Sequence, residues 1–67
     1  MQLRHLEEAE RHVSQGERHI AEQEERIAVL ARLGADMTEA RTLLNNFNAT
    51  LAQHIQHRDR ILKELEQ

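Results

Sequence analysis

The stretch Leu33-Gly34-Ala35-Asp36-Met37-Thr38-Glu39 decides the fold. Gly34 can take the left-handed backbone conformation that ends a helix, without the penalty a Cβ would carry. Asp36, followed three residues later by Glu39, is a capping box that starts the next helix. Only a short connection is left, and short helix–helix connections make antiparallel neighbours. The stretch predicts one hairpin domain over 1–67, with a helix over 2–33, a turn over 34–36 and a helix over 37–66. The competing fold is one continuous helix in a long parallel coiled coil, because a helix tolerates a single Gly. The capping box and the change of apolar stripe across the turn argue against it. Each arm of a hairpin would be on the order of 45 Å long, and an unbroken helix about 100 Å.

Upstream of the turn the chain repeats in sevens. Apolar residues recur at Leu6, Val13, Ile20 and Ile27, so one stripe of the helix faces one partner. With that stripe as heptad position a, the d positions are Ala9, Gly16, Gln23 and Leu30, a regular but lean seam. Glu7 with Arg11 and Glu22 with Arg26 stand at i,i+4 in the favourable order. Downstream the stripe is richer. Met37, Leu44, Leu51, Arg58 and Leu65 are seven apart, as are Ala40, Phe47, His54 and Ile61, with Leu43, Ile55 and Leu62 beside them. That face is wider than a two-stranded seam needs. A hinge near residue 35 pairs positions whose numbers add to 70 or 71. Ile27 then meets Leu44, Val13 meets Arg58, Ala9 meets Ile61 and Gly16 meets His54. Large side chains oppose small ones, as interdigitated packing requires. Arg58, a charge on the seam, is expected to turn outward or pair with Glu10 or Glu17.

The composition agrees with an all-helical chain and excludes several others. The 67 residues include no Pro, no Cys, no Trp, no Tyr, one Phe and two Gly, and 31% are charged. No disulfide or thiolate metal site is possible. The longest apolar run, Ile27 to Ala31, is far short of the ~20 residues a membrane span needs. Met1-Gln2-Leu3-Arg4-His5 leads straight into a charged repeat, so no secretory leader is read and the expected address is the cytoplasm of a bacterium-like cell. A chain this short buries only about 60% of its unfolded surface, so an isolated core is marginal.

The segments Glu17-Arg18-His19-Ile20-Ala21, Leu43-Leu44-Asn45-Asn46-Phe47 and His54 through Arg58-Asp59-Arg60, with Gly34 and Asp36 between them, carry a resemblance. The chain resembles short helical-hairpin proteins of rhizobia and related alphaproteobacteria over nearly its whole length. Met37 departs from the pattern, which has Thr after the Asp. The resemblance implies the hairpin boundaries and carries no assigned activity.

Five histidines in so short a chain raise the question of a metal. His5, His12 and His19 are seven apart, about 10.5 Å along a helix, too far for any two to share an ion. His54 and His57 stand at i,i+3, and an antiparallel arm brings them toward His12. His12, His54 and His57 are therefore the candidate ligands, and zinc would need a fourth ligand or a water. His-Glu-x-x-His and Glu-x-x-His motifs are absent. The competing reading has His54 as a partly buried seam residue, more enclosed than His5, His12 and His19, and no metal or cofactor.

Catalysis finds little footing. Ser14 is the only Ser, the threonines Thr38, Thr42 and Thr50 fall in helices or caps, and there is no Gly-rich phosphate loop. The stretch Asn45 to Leu51 does not match the Ser-Gln-Glu-Leu-Asp motif of the sporulation-type aspartyl-phosphate phosphatases, which share only size and shape. The net charge of −3 and the single Phe argue against nucleic acid, and neither helix has the basic, aromatic-anchored face of a membrane-surface helix. The reading is an all-α antiparallel two-helix hairpin, coiled-coil-like, that dimerises into a four-helix bundle. It is expected to be no enzyme but an interaction or scaffolding module, with Leu43, Phe47, Ile55 and Leu62 as the interface and Gly34, Asp36 and Glu39 forming the turn and caps. A His-based metal-binding protein and a small regulator docking onto a signalling protein are the alternatives.

Overall fold

Helix propensity and the absence of proline carry α1 from Gln2 to Arg32 without a break, and α2 runs from Thr38 to Leu65. The computed structural model describes residues 2–66; of the expected 1–67 span, Met1 and Gln67 lie outside the described residues. The two helices pack antiparallel over a length of 52 Å, with cross-sections of 14 and 13 Å. This is the hairpin, and not the rod of twice that length.

The end of α1 is a Schellman motif. Gly34 takes φ of +68°, the Ala35 N–H donates to the Leu30 carbonyl at 3.0 Å, and the Gly34 N–H donates to the Ala31 carbonyl at 3.1 Å. The start of α2 differs from expectation by one residue. The Met37 carbonyl accepts the first helical bond, from the Arg41 N–H at 2.9 Å, so Met37 is the N-cap. Asp36 still satisfies the helix end from one position earlier. Its Oδ1 accepts from the Thr38 N–H at 3.0 Å and from Thr38 Oγ1 at 2.7 Å. The other half of the capping box is not made. A box needs its Glu at the third helical position, and with Met37 as cap Glu39 stands at the second.

The register also differs, by one helical turn. Gly16 lies against Leu51, His12 against His54 and His19 against Phe47, pairs whose numbers add to 66 or 67. The chain between Arg32 and Thr38 wraps back over the last turn of α1, so α2 starts level with Ala28 and not beside Arg32. Extended along the seam, this register sets a residues of α1 level with d residues of α2: Leu6 with Ile61, Val13 with His54, Ile20 with Phe47. Ala9 comes level with Arg58 and Gly16 with Leu51. The alternation of large and small survives, with different partners.

The core is thin. Ala9, Val13 and Ile61 are the buried apolar residues among those described, and Gln23 is buried with them. Leu6, Ile20, Ile27, Leu44, Phe47 and Leu51 are half-buried. Neither expected i,i+4 pair forms; the ion pair among the described residues is Arg58 with Asp59 at 3.0 Å. Arg58 thus turns to its neighbour and not to Glu10 or Glu17. Both partners reach solvent, so the pair contributes little.

Candidate functional site

With two helices there are two grooves, one on each flank of the seam. His5, His12, His19 and Arg26 occupy the heptad position just before the a stripe of α1, and all four project into one of them. His12 and His19 share it with Phe47, Thr50 and His54; Arg26 shares it with Leu43; His5 shares it with His57 and Glu64. The opposite groove lies between Leu3, Glu10, Glu17 and Glu24 of α1 and Arg41, Asn48, Ile55 and Leu62 of α2, by the same heptad geometry.

The expected interface residues divide between these flanks. Leu43, 39% exposed, and half-buried Phe47 line the histidine groove. Half-buried Ile55 and Leu62, 40% exposed, sit on the other side of α2. One flat partner surface cannot cover all four at once. Heptad position separates them: Leu43 precedes the a stripe, whereas Ile55 and Leu62 follow it by four. Beyond these, Val29 and Leu33 leave apolar surface near the turn, and Leu3 near the open end.

Of the candidate metal ligands, the fold unites two. The His12 and His54 ring centroids are 5.1 Å apart, tilted by 47°. His57 lies one turn nearer the open end, in the part of the groove lined by His5, Arg60 and Glu64. The one-turn change of register accounts for this: it sets His12 level with His54 and leaves His57 beside His5. Among the described residues no three His, Cys, Asp or Glu side chains converge to hold an ion, so the three-histidine cluster is reduced to a pair. His54 is half-buried, whereas His5, His12 and His19 are exposed, the order the seam position requires. The His19 ring packs on Phe47 at 5.7 Å.

Two polar features fix the ends of the groove near the turn. Gln23, read from the sequence only as a weak seam position, is 3% exposed and joins the helices. Its Nε2 donates to the Ala40 carbonyl at 2.9 Å, and its Oε1 accepts from the Arg26 guanidinium at 3.3 Å. A hinge near residue 35 sets Gln23 level with Phe47 or Asn48 and not with Ala40, so the sequence carried no signal for this bond. Asp36 is the other. The Thr38 hydroxyl, and then the Thr38 N–H, hold its carboxyl below the usual carboxylate range, against a weaker opposing effect of burial.

No helix among the described residues is long and apolar enough to cross a membrane. No protein-family model, curated protein or solved structure matches the chain.

Proposed function

We propose that the chain is a non-enzymatic, self-associating helical protein, a homodimer of hairpins in a four-helix bundle, acting as a protein–protein interaction or scaffolding module. The observation that carries this reading is the surface it leaves uncovered. The hairpin exposes 5468 Å². A compact monomer of 7.9 kDa would expose about 4,400 Å². The surplus of roughly 1,000 Å² is close to the ~800 Å² per partner that a stable interface removes. A fold with three buried apolar side chains among its described residues gains much from removing it. Closed two-fold dimers are the commonest way to do so.

The flank bearing Ile55 and Leu62 is the proposed contact. On the same flank the exposed positions Ala52, beside Ile55, and Ala21 and Ala28, toward the turn, let a second pair of helices approach closely. Sedimentation at micromolar concentration tests the reading. The wild type should sediment as a dimer, Ile55→Glu with Leu62→Glu as a poorly helical monomer, and Leu43→Glu as a dimer. A stable, fully helical wild-type monomer refutes self-association and makes the same flank the docking face for a different protein, the regulator reading. Dissociation by Leu43→Glu alone would move the interface to the histidine flank.

A further inference from the structure

We propose that His12 and His54 form a two-imidazole site for a divalent transition-metal ion, bridging α1 and α2. The rings come from different helices and reach one another across the groove, with centroids 5.1 Å apart and a 47° tilt. Metal–nitrogen bonds of about 2.0–2.1 Å put a coordinated ring's centroid roughly 3.2 Å from the ion, and two such rings at a tetrahedral angle roughly 5 Å apart. The observed centroid separation matches that distance.

The surroundings suit a cation. Gly16 and Thr50, one turn from His12 and His54, are small, and no Lys or Arg lines this part of the groove. Among the described residues neither ring donates to or accepts from another protein group. A neutral imidazole carries one acceptor nitrogen, so each ring has a lone pair to give. His12 is exposed and the groove is open to solvent, which leaves the ion's remaining positions to water. Imidazole ligands select copper, nickel and zinc over magnesium and calcium, and among these copper(II) binds most tightly. An ion held by both rings joins the helices only when they are paired, so it stabilises the folded hairpin. The site is complete within one chain and does not depend on the dimer.

Titration calorimetry and thermal melts followed by circular dichroism, with copper(II), zinc(II) and magnesium(II) salts, test this. One copper or zinc ion should bind per chain and raise the Tm, copper more than zinc, and magnesium should do neither. His12→Ala, at an exposed position, should stay helical and lose both the binding and the Tm rise. His54→Ala should do the same where it folds. His19→Ala and His57→Ala should retain both. No Tm rise with either transition ion overturns the proposal. So does a rise that survives in His12→Ala, or one that His57→Ala abolishes.

Discussion

Replacing Gly16 with Ala tests how closely the two helices are held. A Cβ built on Gly16 would lie 3.1 Å from Leu51 Cδ1, 3.6 Å from its Cβ and 3.8 Å from its Cγ. Only the first contact is too short, and it falls on the far end of a flexible, half-buried side chain. Moving Leu51 off its preferred rotamer by the few tenths of an ångström required costs about 0.5 kcal/mol. Ala in place of Gly in a helix interior gains about 1 kcal/mol. The net expectation is a stabilisation of about 0.5 kcal/mol, or a Tm rise of roughly 2–4 °C in a domain of this size. Gly16→Leu should behave oppositely. Its branch must enter the space Leu51 fills, separating the helices at a cost of roughly 1–3 kcal/mol. Urea melts followed by circular dichroism, at one fixed chain concentration because self-association makes stability depend on it, measure both variants. A loss above about 1 kcal/mol in Gly16→Ala would refute the reasoning. It would mean that Leu51 cannot give way and that the seam is rigid at this level.

Two further substitutions probe the polar contacts. Gln23→Leu keeps the volume, and the Ala40 carbonyl keeps its own helical partner, so stability should change by less than about 1 kcal/mol. Gln23→Ala loses both the bond and the packing and should cost roughly 1–3 kcal/mol in the same melts. Asp36→Ala should lower the Tm at neutral pH, because the Thr38 N–H and hydroxyl at the start of α2 lose their acceptor. The lowered Asp36 carboxyl contributes stability that is full above its unfolded range and is lost as the pH falls through the folded value. The gap between wild type and Asp36→Ala should therefore narrow on acidification, and a pH series of melts measures it.

The two helices and the break between them were legible in Gly34 and Asp36, because both act through backbone geometry within a few residues of themselves. Register was not. Numbering the residues back from a hinge assumes that the turn uses chain evenly on both sides, whereas Leu33, Gly34 and Ala35 bond back onto the end of α1. That one-turn difference moved Gly16 from His54 to Leu51, and it reduced three candidate ligands to His12 and His54. The division of Leu43 and Phe47 from Ile55 and Leu62 lay in the heptad positions all along, but reading them as one broad stripe concealed it. Gln23 escaped notice because its value depends on what stands across the seam, and the register decides that.

The most enclosed apolar side chains, Ala9, Val13 and Ile61, gather toward the open end of the hairpin, while the turn is held by local hydrogen bonds. The molecule is a zipper whose clasp is toward its open end. Residues some fifty positions apart in the chain must meet before the tightest contact forms, whereas the tip closes on its own. Lengthening the tip is cheap, since doubling a loop adds only about 0.6 kcal/mol of closure entropy. Shortening α1 as far as Ala9 removes the clasp itself. Most domains tolerate trimming at their termini, but in this hairpin the tip is the permissive place and the ends are not.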